Sequence, residues 1–152
     1  MKIEITRSKY SDRSEVLQLL NQVALPTEGV AEHFANFFVA RDGNRIIGCV
    51  GLEKHGNHAL LRSLAVAPDY RGRKIGQSLT QQAIAYAEAN TVKVTALLTT
   101  TADQFFARHF NFSVADRTEF EAVFSNSPEW NLPRCSSAVF MIHSLPDSSK
   151  KI

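Results

Sequence analysis

Apolar and polar positions change their period several times along the chain. Lys2 to Arg7 alternates in steps of two, as an edge strand does, and Val16, Leu20 and Val23 then recur at helical spacing behind Ser11 or Asp12 as a cap. The turn-rich LPTEGV follows, then a short helical stretch from Ala31 to Asn36. Phe37 to Arg41 and Arg45 to His55 are rich in aromatic and β-branched residues, and Asp42-Gly43-Asn44 between them predicts a hairpin. Gly56-Asn57 predicts a second turn. Ala59 to Val66 thus becomes the third strand of an antiparallel meander, stopped by Pro68, which has no N–H to give a ladder. Ile75, Leu79, Ala83 and Tyr86 mark an amphipathic helix that Asn90 closes.

Strand and helix then alternate. Lys93 to Thr99 has the character of a buried strand, and TTTADQFFARHF predicts a Thr-capped helix from near Ala102. Asn111 suits a left-handed turn before a strand over 113–117. A polar, helix-compatible stretch from Thr118, the run SPEWNLPR and a last strand from Ser137 to Ser144 complete the pattern. A meander followed by a βαβ-like half predicts a mixed sheet with helices on its faces, an α/β or α+β arrangement. We expect one domain over residues 1–145 and a polar tail over 146–152.

Composition narrows the chemistry. The 152 residues, 44% apolar and 21% charged, suffice for one folded core. A formal net charge of +2 means that attraction for phosphate must come from a local cluster, which counts against a nucleic-acid partner. No apolar run has the length of a membrane span, and MKIEITRSKY lacks the pattern of a signal peptide, so the expectation is a cytoplasmic protein without a membrane partner. Cys49 and Cys135 lie far apart with no metal-ligand spacing; we expect both reduced, Cys49 in packing, and no metal site.

One local cluster stands out against this nearly neutral background. LAVAPDYRGRKIG, residues 64–76, brings Arg71, Arg73 and Lys74 with Gly72 and Gly76 to a strand-to-helix junction. Backbone N–H groups converge at such a turn, the helix N-terminus adds partial positive charge, and glycine lets an anion approach the backbone. The run matches neither GxxxxGK[ST] nor GxGxxG, so nucleoside triphosphate and dinucleotide readings lose their main support.

LAVAPDYRGRKIGQSL resembles the acyl-CoA pyrophosphate loop of the GNAT superfamily of N-acetyltransferases, Q/R-x-x-G-x-G/A between a strand and a helix. Arg71 and Gly76 fill the first and last positions, and Lys74 stands where glycine is usual. The element order agrees to about Arg117. LPTEGV, LLRSLAVAP and LLTTTADQFFAR are similar to the acetyltransferases encoded with arsenic-resistance genes, some of which act on glutamate-like arsenical or phosphinic amino acids. The resemblance implies a mostly antiparallel central sheet flanked by helices, with acetyl-CoA as cosubstrate. It further implies that Leu64, Ala65 and Val66 hold the pantetheine arm and that Arg71, Gly72, Arg73, Lys74, Ile75, Gly76 and Gln77 hold the pyrophosphate. Phe105 and Phe106 would lie beside the cofactor. Phe106 takes the place where a tyrosine often protonates the departing thiolate, which leaves that step to a hydroxyl of Thr99 to Thr101, to water, or to no dedicated acid.

Acetyl transfer to an amine also needs a proton acceptor. The carboxylate common on the family's fourth strand is Leu60 here. If Gly56-Asn57 is tight, His55 pairs with His58 and Glu53 falls opposite Leu60, diagonal to Arg62. Period two also places Leu60, Arg62, Leu64 and Val66 on one face. Glu53 is therefore the first candidate base, Arg62 a candidate fork for an acceptor carboxylate, and Glu28 a further candidate because its connector borders the acceptor pocket in the family. The alternative role for Glu53 and Arg62 is a structural ion pair; His55 and His58 are turn residues, and Trp130 is packing. These residues lead us to expect an N-acetyltransferase acting on a small, amino-acid-like amine, with a homodimer left open. A non-catalytic acyl-CoA-binding module and a protein N-acetyltransferase are the alternatives.

Overall fold

Short turns set the first half of the sheet. The computed structural model describes residues 2–133 and 137–144. Strands β1 (Ile3–Arg7), β2 (Phe37–Asp42), β3 (Arg45–His55) and β4 (His58–Val66) pair antiparallel in succession. Strand β5 (Val94–Thr99) joins β4 in parallel, as its crossover through helix α3 (Ile75–Ala89) requires, and β7 (Val139–Ser144) pairs antiparallel with β5 and with β6 (Ser113–Val114). The result is one seven-stranded mixed sheet of order β1-β2-β3-β4-β5-β7-β6. Helices α1 (Arg13–Gln22), α2 (Val30–His33), α4 (Asp103–Phe110) and α5 (Glu121–Phe124) complete the fold. The expected mixed, mostly antiparallel sheet with helices is the one observed. Among the described residues no helix is long and apolar enough to cross a membrane. The tail expected at 146–152 and Cys135 lie outside the described residues.

Helix α3 buries Ile75, Leu79, Ala83, Ile84 and Ala87, and the hydroxyl of its buried Thr80 is satisfied by the Gly76 carbonyl at 2.8 Å. A second cluster of Leu60, Ala96, Phe124, Trp130 and Phe140 lies under the segment between β6 and β7. Trp130 is a packing residue, as expected, and its indole N–H donates to Glu121.

Local chemistry moved several expected features. Asp12 holds the N-cap position of α1, one of the two expected, but its side chain bonds no helix N–H: the carboxylate accepts the Lys9 N–H and pairs with Arg41 at 2.6 Å, tying the helix start to β2. The strand expected over 113–117 is only Ser113–Val114, because the Asp116 carboxylate accepts the Thr118 N–H and turns the chain into a 3-10 helix at Arg117–Phe120. Asn90 is the C-cap of α3, as expected, its side chain donating to the Tyr86 carbonyl, while the left-handed backbone falls on Thr91 at φ +66°.

The largest correction concerns β4. Arg62 lies opposite Gly51 but Ala65 lies opposite Cys49, so β4 spends one more residue than β3 over that interval. Ser63, at φ +59°, is the bulge. It breaks the alternation: Ala65 returns to the face of Arg62, and Val66 turns to the other face, toward α3. Cys49, buried opposite the bulge, donates its thiol to the Ser63 carbonyl, and burial pushes that thiol up to about 12.

Gly51 sits directly above the ring of Phe37, where a Cβ would fall 2.2 Å from Cε1. Phe37 is wholly buried and has no room to retreat. Gly51→Ala is therefore expected to destabilise the fold by about 1–3 kcal/mol, read as a lower urea midpoint at unchanged slope.

Candidate active site

The bulge at Ser63 opens the sheet. Strands β4 and β5 are in register only from His58↔Val94 to Leu61↔Leu97, although each continues further. In the wedge beyond lies a cavity of about 390 Å³, lined by residues 24–26, 61–64 and 97–102 with Phe106, Glu129 and Ala138. Its walls are chiefly apolar, relieved by the side chains of Arg62, Ser63, Thr99 to Thr101 and Glu129. The expected threonine cap of α4 is not made: Ala102 is the N-cap without a side-chain bond. The Thr99 hydroxyl oxygen instead accepts the Ala102 N–H at 2.9 Å in the turn before the helix, which carries Phe106 into the wall.

A second cavity, of about 300 Å³, sits at the N-terminus of α3. Val66, Tyr70, Arg71, Gly72, Lys74 and Gly76 contribute to it, with Ile75, Gln77 and Phe105. Gly72 and Lys74 both have left-handed backbones, at φ +80° and +62°. A lysine there costs about 1–2 kcal/mol, which is the physical reason glycine is usual at this position. Alternating left-handed residues turn successive N–H groups to one side, and the first N–H groups of a helix have no intrahelical acceptor. The lining thus suits an anion. Arg73 lies outside it, over the Tyr70 ring at 5.0 Å, with Arg45 over the same ring at 5.3 Å. The Tyr70 hydroxyl donates to Asp42, and Arg45 forks onto Asp69 at 2.9 and 3.3 Å, so the loop is braced against the β2–β3 hairpin. Leu64 faces the first cavity and Val66 the second, whereas buried Ala65 lines neither.

The turn arithmetic at Gly56-Asn57 holds: His55 pairs with His58, and Glu53 lies opposite Leu60. Glu53 and Arg62 meet as expected, but as a closed unit. Arg62 Nη1 donates to Glu53 Oε2 at 2.7 Å, Nη2 to the Pro26 carbonyl at 3.3 Å and Nε to Ser63 Oγ at 3.0 Å. The other carboxylate oxygen of Glu53 receives the His55 Nε2–H at 3.1 Å. Burial works against the Glu53 charge, but hydrogen bonds from His55, Ser127 and Arg62 outweigh it and bring the carboxyl down to about 2. Glu53 does not line the cavity. A fully paired carboxylate of so low a pKa is a poor proton acceptor near neutrality, so the geometry speaks for the structural ion pair. The same contacts engage all three nitrogens of the Arg62 guanidinium, which leaves two of its five N–H donors over on a side chain that lines the cavity. Glu28 is exposed, accepts the Thr27 N–H at 3.2 Å and stands outside the lining.

The carboxylate that does face the cavity is Glu129, which sequence reasoning missed. It rides on a turn held by Ser127, whose hydroxyl bonds Glu53 while accepting the Trp130 N–H at 3.0 Å. Pro128 packs so closely on Gly29 that a Cβ there would lie 2.6 Å from Pro128 Cγ, and Gly29 adds φ +82°. The available signal was Ser-Pro-Glu-Trp: a capped turn that buries its tryptophan carries the adjacent glutamate inward. Among the described residues no cluster of His, Cys, Asp and Glu is placed to hold a metal ion.

Residues 33–114, more than half the chain, match the acetyltransferase (GNAT) domain model, and the chain belongs to that family of acetyltransferases. Solved structures agree in fold. Rv2747 from Mycobacterium tuberculosis, in complex with CoA and NLQ, superposes with a TM-score of 0.77 at 21% identity, covering 94% of this chain and 99% of that one. An acetyltransferase of the GNAT family from Staphylococcus aureus Mu50 gives 0.77 at 18% identity, covering 95% and 100%. N-acetylglutamate synthase from Neisseria gonorrhoeae, complexed with coenzyme A and N-acetyl-glutamate, gives 0.75 at 17% identity, covering 97% of this chain but 36% of its own. No curated protein matches the sequence.

Removing one charge of a buried pair leaves the other uncompensated. Glu53→Gln is expected to cost roughly 3 kcal/mol near neutral pH, the low end for such a pair because Glu129 remains near Arg62. The Glu53 carboxyl is held at about 2 against an ordinary 4.5, so its contribution is complete above the ordinary value and is lost as pH falls toward the lower one. Urea unfolding of both proteins across that range is expected to show the gap closing in acid.

Proposed function

We propose that this protein transfers an acetyl group from acetyl-CoA to the primary amine of a small, amino-acid-like acceptor. The observation that carries the reading is the Ser63 bulge. It opens an apolar wedge beside a braced loop whose amides and cations suit a pyrophosphate, and β4 runs from one to the other. Arg71, Gly72, Lys74, Gly76 and Gln77 would hold the phosphates, and Leu64 and Val66 would flank the pantetheine arm. Bound there, acetyl-CoA supplies a thioester carbonyl as acyl donor. Residues 24–26 and 97–102 enclose the acceptor, exclude water and set the approach of the amine, from which much of the rate enhancement arises. Phe106 presents no proton to the thiolate, and the hydroxyls of Thr100 and Thr101 stand in the same wall.

A structural neighbour solved with coenzyme A and N-acetyl-glutamate supports an amino-acid-like acceptor. The likeness of LPTEGV and LLTTTADQFFAR to arsenic-resistance acetyltransferases adds glutamate-like arsenical and phosphinic amino acids to the candidates. Arg62 is anchored on Glu53 through Nη1, and only its remaining N–H donors are left to meet an acceptor carboxylate.

Thiol release from acetyl-CoA across a panel of amines tests the reading. Release that depends on an amino acid or a phosphinic or arsenical analogue is expected; binding of acetyl-CoA without release would make the protein an acyl-CoA-binding module instead. A Cβ on Gly76 would make only an ordinary contact, 3.8 Å from Val66, so Gly76→Val is expected to fold. Its branches fill the groove between α3 and β4, and calorimetry should show acetyl-CoA affinity falling roughly tenfold or more.

A further inference from the structure

Glu129 lines the cavity from the turn between α5 and β7. Its side chain is 9% exposed, and its nearest cation is Arg62, with Nε 3.6 Å from Oε2. That oxygen has no hydrogen-bond partner. Stability alone does not account for such an arrangement, because an unsatisfied buried carboxylate is costly, and Glu53 nearby shows the same fold satisfying one completely. Oε2 itself is sealed from solvent beside Arg62, but the carboxylate belongs to a residue that lines the cavity, where a ligand with a proton to give would meet it.

We propose that Glu129 accepts the proton of the acceptor's ammonium group, with Glu53 and Arg62 as the positioning residues that hold it in the cavity wall. This rests on the acetyl-transfer reading above. An ammonium nitrogen that becomes an amide loses two protons. One passes to Glu129 and then to solvent, freeing the lone pair; the nitrogen–carbon bond forms as the carbon–sulfur bond breaks, and the second proton ends on the departing sulfur. The cavity wall then favours a cationic amine, whose charge compensates the carboxylate as it enters.

The charged groups facing Glu129 are Arg62 from β4 and, behind it, Glu53 from β3. Burial raises the Glu129 carboxyl, Arg62 lowers it, and the negative charge of Glu53 raises it again, leaving it at about 7. A base of that strength is both available and effective near neutral pH.

The test compares wild type with Glu129→Gln, using acetyl-CoA and the best amine of the panel. Loss of kcat by about 10²–10⁴-fold at unchanged acetyl-CoA affinity is expected, together with loss of the activity limb that falls as pH drops through about 7. Two readouts need no turnover. Infrared difference spectra should show a carboxyl band that wild type loses as pH rises through about 7 and that the variant lacks. Because the folded-state pKa is raised, the stability of wild type is complete below the ordinary glutamate value and is lost as pH rises through the raised one. Glu129→Gln should therefore melt higher than wild type at about pH 8 and equally at about pH 4. A variant with full kcat and an intact acid limb, or a wild type with no carboxyl titrating near neutrality, overturns the assignment. Absence of thiol release by wild type overturns the transferase reading instead, and the spectra separate the two failures.

Discussion

The buried pair of Glu53 and Arg62 is the contact on which the site's geometry depends. Two charges with almost no exposed surface need full compensation, and the structure supplies it from neighbours on their own strands and from two distant stretches brought to them. Pro26 gives its carbonyl from the α1–α2 connector, Ser63 its hydroxyl from the bulge, His55 its ring from the far end of β3, and Ser127 its hydroxyl from the turn after α5. Satisfying the pair thus fixes three sides of the cavity at once. Hydrophobic burial has no such directionality: it holds Trp130 against Phe124 and Phe140 but does not say where Glu129 must point.

The pair also explains why the bulge stands where it does. Arg62 Nε donates to the hydroxyl of the adjacent Ser63, which at φ +59° is bent out of the strand. The extra residue rotates the rest of β4 away from β5, and the backbone that would have closed the sheet lines a cavity instead. From there β4 runs to the glycine-containing loop, so the same strand that ends the ladder delivers the chain to the anion-binding turn.

What the sequence revealed followed from local rules. Gly56-Asn57 is a turn with one dominant geometry, so counting outward from it located Glu53 opposite Leu60 correctly. The cationic loop was legible because helix N-termini and glycine have the same consequences in any fold. The bulge was not legible: serine has no special claim on a left-handed backbone, and what holds Ser63 there is Arg62, a contact invisible until the sheet is assembled. Glu129 was hidden for a similar reason. Its burial depends on Pro128 meeting Gly29 across the molecule, a tertiary contact with no periodic signature. For Glu53 the register gave the position but not the hydrogen bonds from His55 and Ser127, which favour the ion-pair role over that of a base.

One arginine serves two carboxylates unequally, and this separates their chemistry. Glu53 holds the direct contact at 2.7 Å and three hydrogen-bonding neighbours, and its carboxyl falls to about 2. Glu129, whose Oε2 lies 3.6 Å from Arg62 without a hydrogen bond, is raised by burial beyond what the attraction of Arg62 takes back, the repulsion of Glu53 adds to the rise, and its carboxyl stands at about 7. Two acids of the same type, sharing one cation, are thereby driven in opposite directions by their neighbours alone. The anchored one cannot accept a proton without dismantling the wall it holds. The other can, because little of the structure is bonded to it. Stability and reactivity are here divided between two side chains, and the division requires that the first be buried deeply enough to leave the second underserved.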